Sequence, residues 1–203
     1  MEQKIKTQRT KERILASAIL EFGTKGYEGS SLSAICRDGL SKGLLYHNFK
    51  NKDAVYVACV ARCYRLLTDY IKEQVVSPDL EMYLSARIRF FSDNPALGHI
   101  FLETSLQPPK PLIQEIGKAR ECFDKWNRIF FKKILHALSL RPGITEEDAL
   151  EYFMLMQTMF NGYFSSPAFY DLPFSDVIQQ HEQTLHKLLD YMLYGVAKGE
   201  ALP

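Results

Sequence analysis

Apolar residues recur at three- and four-residue spacing along nearly the whole chain, and alternation of β-branched residues is scarce. That period gives each segment one apolar stripe and leaves no two-sided strand to pair, so it predicts an all-α fold of about nine helices. The clearest seam is Val57, Val60, Tyr64, Leu67 and Ile71, on a long helix expected from about Asp53 to Gln74. Pro78 closes it, Asp79 is placed to cap the next helix, and that helix stops before Pro95. A shorter piece covers 96–106. Pro108, Pro109 and Pro111 cannot all be helix interior and mark a loop. A helix from about Leu112 to Leu138 follows, interrupted from Arg141 to Gly143. Thr145 with Asp148 resembles a capping box and opens a helix to about Phe164. Pro167 and Pro173 bound a loop, and a last helix starts at Ser175 or Asp176 and ends near Gly195.

The first quarter is built differently, from short pieces. A helix from about Thr7 or Thr10 to Lys25 carries Ile14, Ala18 and Phe22 on one face and meets Gly26, a natural left-handed cap. Ser30 or Ser31 caps a short helix whose inner face is Leu32, Ile35 and Cys36. Gly39 breaks it, and Ser41 caps a third helix that buries Leu45 and Phe49. Short helices joined by a glycine turn have the form of a helix-turn-helix, which lays one helix in the DNA major groove. At about 100° per residue, Gly43 and His47 face roughly 160° away from Leu45, with Leu44 and Tyr46 flanking them. Gly43 would let the backbone approach DNA closely, and His47 and Asn48 offer hydrogen bonds to base edges. Lys42, Tyr46 and Lys52 suit phosphate oxygens.

Charge points to the same end. Residues 1–53 hold ten Lys or Arg against six Asp or Glu, net +4, whereas residues 54–203 hold fifteen against eighteen, net −3. A basic head on a slightly acidic body suggests that one end meets a polyanion. The division expected is 1–53 for the DNA-binding unit and 54–203 for the remainder.

The stretch SSLSAICRDGLSKGLLYHNFKNKDAVY, with its lead-in RILASAILEFGTKGYEGSSLSAI, resembles the N-terminal signature of TetR-family transcriptional regulators. The residues that carry the likeness are Phe22, Gly26 and Tyr27, then Ser30, Ser31 and Ile35, then Ser41, Lys42, Gly43, Leu45, Tyr46, Phe49 and Lys52. It covers about 50 residues, and the rest is similar only in length and helical character. Two departures stand out. The segment from Cys36 to Leu40 is one residue shorter than the family usually has, so either the turn tightens at Gly39 or a residue has been lost. Leu44 replaces a common Thr, which favours contact with a thymine methyl.

The resemblance implies an N-terminal helix-turn-helix head joined by a long helix to a ligand-binding and dimerisation domain, with DNA contacts expected from Ser30, Ser31, Ser41, Lys42, Gly43, Leu44, Tyr46, His47, Asn48 and Lys52. It implies a repressor that binds a palindromic double-stranded DNA operator as a homodimer, with half-sites about one DNA turn or somewhat more apart. Dimerisation would use the last two long helices, 146–164 and 176–194, through Tyr152, Phe153, Leu155, Met156, Met159, Phe160 and Tyr163 with Leu185, Leu188, Leu189, Met192 and Leu193. A small-molecule effector, expected to be hydrophobic or aromatic, would occupy the middle helices. Candidate lining residues are Tyr83, Phe90, Phe101, Trp126, Phe130, Tyr152, Met156 and Phe160. His99 and Glu103, four apart, read better as a surface pair than as anchors in that pocket.

Other functions find little support. Hydrophobic residues at 46% and charged residues at 24% belong to a globular protein, not a disordered one. No run of about 18 apolar residues occurs and the charged start lacks a secretory core, so a cytoplasmic setting away from membranes is expected. HEQTLH, from His181 to His186, spaces its histidines five apart instead of the four a zinc-peptidase helix needs. No phosphate-binding glycine loop or nucleophile elbow is present, so no catalytic residue, metal or cofactor is expected. The rival reading is a helical ligand-binding or interaction module, with Cys59 and Cys63 on one helix face as a thiol redox pair.

Overall fold

The computed structural model describes residues 2–194 apart from Asp38 and Tyr170. Among these residues there are nine helices and no strand. The helices are α1 (Glu2–Gly29), α2 (Leu32–Ile35), α3 (Lys42–Asn48), α4 (Lys52–Gln74), α5 (Leu80–Asp93), α6 (Pro95–Leu106), α7 (Ile113–His136), α8 (Glu146–Phe164) and α9 (Phe174–Tyr194).

Local chemistry accounts for most of these boundaries. Ser31, Ser41, Asn51 and Asp79 each accept a hydrogen bond from the backbone N–H three residues on, so α2, α3, α4 and α5 begin where a side-chain acceptor is available. Thr145 and Asp148 form the reciprocal capping box that opens α8. Pro95 starts α6 at a position where a missing N–H costs nothing. The proline loop holds a single 3-10 turn, Lys110–Leu112. The first helix begins earlier than expected, at Glu2, in a stretch where Glu, Gln, Lys and Arg, all good helix formers, predominate. Its regular course is interrupted at Gly26, with φ 67°. Gly39 also takes a positive φ, 81°, so the short turn between α2 and α3 bends at glycine.

One hydrophobic core runs from head to body. In the head Ile14, Ala18, Phe22, Ile35 and Tyr56 are fully buried, and in the body Leu67, Ile71, Ile100, Leu102 and Leu189 are. Cys59 and Cys63 lie between them in the same core. The long α4 supplies both halves, and α6 lies across α1. There the backbones nearly touch: a Cβ on Gly23 would sit 2.5 Å from the Cα of Ala96.

Candidate nucleic-acid interface and effector cavity

Leu45 and Phe49 anchor α3 inward, and this sets what the helix shows outward. Lys42, Gly43, Leu44, Tyr46 and His47 are all exposed, Leu44 and Tyr46 to 42% and 56%. Two large apolar groups left in water on a seven-residue helix are unusual unless a partner covers them. Gly43 has no positive φ, and a Cβ there would approach only the Ser41 hydroxyl, at 3.9 Å. Folding therefore does not require glycine at this position.

The remaining head residues separate into caps, supports and one buried group. Ser31 and Ser41 are exposed at the starts of α2 and α3, each accepting a backbone N–H through its hydroxyl oxygen. Asn48 turns its amide back to the Leu44 carbonyl at 2.8 Å, which commits one N–H to its own helix. The Lys52 ammonium stands 4.4 Å from the centre of the Tyr27 ring and donates to the Glu28 carbonyl. Ser30, unlike Ser31 and Ser41, is buried, and its hydroxyl donates to the carbonyls of Gly26 and Glu21, which closes the end of α1.

Glu103 corrects the sequence expectation. Far from forming a surface pair with His99, its carboxylate reaches from α6 into the head. It accepts the Tyr27 N–H at 2.8 Å and the Tyr56 hydroxyl at 2.6 Å. A Cβ on Gly26 would stand 2.8 Å from the same carboxylate, a further reason for glycine there beyond its backbone angle. Burial raises the Glu103 carboxyl above its usual range, opposed by the two hydrogen bonds it accepts. Tyr27 in turn donates to Asp53 at 2.5 Å, and burial together with that carboxylate pushes its hydroxyl up to about 12. These contacts tie the first turn of α4, the end of α1 and the middle of α6 together.

The body encloses a cavity of about 80 Å³ among α5, α6, α7, α8 and α9. Of the eight lining residues expected, it brings together Phe101 and Phe160. Tyr83, Trp126 and Phe130 stack on one another elsewhere in the core, and Phe90 packs against Tyr70. Tyr152 is exposed on the outer side of α8, and Met156 is half-buried outside the cavity wall. Helical aromatics share one period whether they fill a core or line a cavity, so spacing could not separate the two.

What the sequence reading missed in the cavity is its polarity. Arg87 donates through Nε and Nη2 to both carboxylate oxygens of Glu182, at 3.1 and 2.8 Å. The guanidinium draws the Glu182 carboxyl down to about 2 against the opposing effect of burial. His181, also in the wall, has its ring nitrogens 3.0 Å from Glu182 and from Asn161. Burial lowers its basicity. Arg120 forms a second bidentate pair with Asp124, nearer the surface. One sign of this was visible in the sequence: Arg87 interrupts the apolar run of α5, where a buried charge requires a partner.

The surroundings of the thiol pair do not favour a redox site. Both Cys59 and Cys63 are fully buried, burial pushes the Cys59 thiol up to about 12, and the Cys63 thiol is raised further. Such thiols are poor nucleophiles. Among the described residues no group of three or more His, Cys, Asp or Glu could hold a metal ion, and no helix is long and apolar enough to cross a membrane.

Comparison with known proteins agrees with this geometry. Residues 14–59 match the family of bacterial regulatory proteins of the tetR type, and residues 74–199 match the tetracyclin repressor-like C-terminal domain. The biofilm operon icaADBC HTH-type negative transcriptional regulator IcaR of Staphylococcus epidermidis is 32% identical over 62 residues, covering 30% of this chain and 34% of that protein. The Staphylococcus aureus (strain Newman) protein of the same name is 34% identical over 62 residues, covering 30% and 33%. The match thus spans about a third of the curated relatives' length. Over the whole fold, the fatty acid degradation regulator FadR of Bacillus halodurans superposes with a TM-score of 0.63 at 12% identity, covering 92% of this chain and 95% of that one. FadR of Bacillus subtilis, solved in complex with stearoyl-CoA, gives 0.62 at 15% identity, covering 92% and 99%. With both the head and more than half of the chain matched, this protein belongs to the tetR family of bacterial regulatory proteins.

Proposed function

We propose that this protein is a DNA-binding transcriptional repressor that holds a palindromic operator as a homodimer and lets go when a small molecule occupies the body. The observation that carries this reading is the outward face of α3, where Lys42, Gly43, Leu44, Tyr46 and His47 stand clear of a helix anchored by Leu45 and Phe49. That face has the width and the mix of apolar and hydrogen-bonding groups that a major groove accepts. IcaR, similar over the head, is a negative regulator by name, which favours repression. Residues 1–53 would then read DNA and 54–203 would dimerise and bind the effector, in the cytoplasm and without catalysis.

Dimerisation is supported by a stripe on α8. Tyr152, Leu155, Met159 and Tyr163 are each more than half exposed, as is Tyr191 on α9. A row of that kind at helical spacing suits a four-helix bundle between two copies. Phe153, Phe160, Leu185 and Leu189, expected in the same interface, are instead buried within the protomer, and Leu193 lies outside the described side chains.

Release follows from size and connection. A cavity of about 80 Å³ is smaller than the ~150 Å³ that admits benzene in an engineered core. A larger ligand must part α6 from α8, and α6 carries Ala96 and Glu103, which hold α1 and α4. The ligand needs only to prefer the parted arrangement to shift the population away from the DNA-bound one. FadR from Bacillus subtilis binds stearoyl-CoA within a similar fold, which favours a ligand in the body here as well.

Selection of bound fragments from random duplex DNA, using protein stripped of ligand by unfolding and refolding, tests the reading. Enrichment of a palindrome with half-site centres a helical turn or more apart is expected. A soluble, refolded dimer that enriches nothing would remove repression from consideration.

A further inference from the structure

We propose that the effector is a small carboxylic acid whose carboxylate is received by Arg120 at the edge of the cavity while Asp124 gives way to solvent. The proposal rests on the effector-released reading above and assigns the chemistry of its ligand.

Two guanidinium groups line the cavity, and their situations differ. Arg87 and Glu182 have only 8% and 10% of their side chains exposed, and Arg87 also stacks on Phe101 at 4.8 Å. A ligand anion that took Arg87 would strand a buried carboxylate, which is strongly unfavourable. Arg120 is different. It is fixed by the Tyr64 ring, 5.2 Å from its guanidinium, and bonded to Asp124 at 2.9–3.1 Å. Asp124 is 44% exposed against 28% for Arg120, so the acid regains water on leaving while the cation stays held. Water screens the Asp124 side of the pair, so breaking it costs less than breaking the buried pair of Arg87 with Glu182. The asymmetry selects an anion, since a cationic ligand would have to dislodge the packed arginine.

The neighbouring groups agree. The Asn127 carbonyl oxygen accepts the buried Tyr83 hydroxyl at 2.8 Å, so its amide nitrogen is what remains to offer the cavity it lines. The Gln157 amide lines the facing wall on α8. A guanidinium and two amide donors match the acceptor-only oxygens of a carboxylate. Phe101, Phe123, Phe160 and Leu185 supply apolar wall for a short body.

The test is calorimetric titration of the full-length apo protein, without DNA, with butyrate, hexanoate and benzoate, each compared with its neutral amide. At least one acid should bind, about tenfold or more tighter than its amide, because the bidentate contact needs charge. Arg120→Gln should bring that acid to the level of its amide, and Arg120→Lys should recover part of the loss. Asp124→Asn, a change at a half-exposed site that folding tolerates, should tighten binding several-fold by removing the competing carboxylate. Amides that bind as well as acids, no binding by any of the three acids, or an Asp124→Asn protein with unchanged or weaker affinity would each overturn the assignment. Release of the selected operator is scored separately. An acid that binds through Arg120 but leaves DNA bound would overturn its assignment as the effector, while a protein that enriches no operator at all would overturn the release reading itself.

Discussion

At the scale of single residues, Gly43 separates folding from reading. Its backbone is ordinary and its surroundings are open, so an alanine there meets no obstacle and reduces the freedom of the unfolded chain. Gly43→Ala should stabilise the protein by about 0.5–1 kcal/mol, seen as a raised urea midpoint. It should also weaken operator binding about tenfold or more if the backbone lies against DNA. Stability and affinity that rise together would mean that the α3 backbone stays clear of the groove. Lys52 and His47 divide the interface in another way. Lys52 stacks on Tyr27 at the first turn of α4, beside the reading helix but not on it. Lys52→Ala should weaken binding to every duplex alike and reduce the log–log salt slope by about 1. His47→Ala should alter sequence preference at constant slope. A uniform loss across sequences would show that His47 contacts phosphate.

At the scale of elements, the difference between what could be read in the sequence and what could not is one of range. Caps and helix faces depend on residues three and four apart, and so Ser41, Asp79 and the Thr145 box were legible. The tie from Glu103 to Tyr27 spans 76 residues, and the pair of Arg87 with Glu182 spans 95. No local pattern encodes such partners, because packing of α6 on α1 and of α5 beside α9 creates them. The joint is nevertheless testable. Glu103→Ala leaves the Tyr27 N–H and the Tyr56 hydroxyl without their acceptor, at a cost of about 1–3 kcal/mol for each buried group. Glu103→Gln keeps an acceptor, and the Tyr56 hydroxyl can turn to accept the amide, so a smaller loss is expected. Equal urea midpoints for the two variants would show that shape, not hydrogen bonding, fastens α6 to the head. The outer stripe of α8 makes a separate prediction: Leu155→Glu, at a site 57% exposed, should leave the fold intact and yield a monomer in sedimentation. A dimer that persists would place the interface elsewhere.

For the molecule as a whole, the charge pair within the body decides how stability follows pH. Glu182 has its carboxyl drawn down from 4.5 to about 2 by Arg87, so the unfolded chain takes up that proton first. The stabilisation is therefore complete above about pH 4.5 and is lost as pH falls toward 2. His181, whose basicity burial lowers from the ordinary 6.5, acts in the same direction: protonation favours the unfolded chain as pH drops below that value. Glu103 opposes both, because its raised carboxyl releases its proton less readily in the folded state. Its contribution is present at low pH and is lost as pH rises through the raised value. Of these three groups, two destabilise the fold on acidification and one resists, and a single variant isolates Glu182. Glu182→Gln leaves Arg87 buried without a counter-charge and should cost about 3–5 kcal/mol at pH 7. Toward pH 2 the native Glu182 is itself protonated, so the two proteins should converge in denaturant midpoint. A difference that stays constant from pH 7 to pH 2 would show that the glutamine disturbs packing instead of removing a charge. The Arg87–Glu182 pair would then not be what joins α5 to α9 across the cavity.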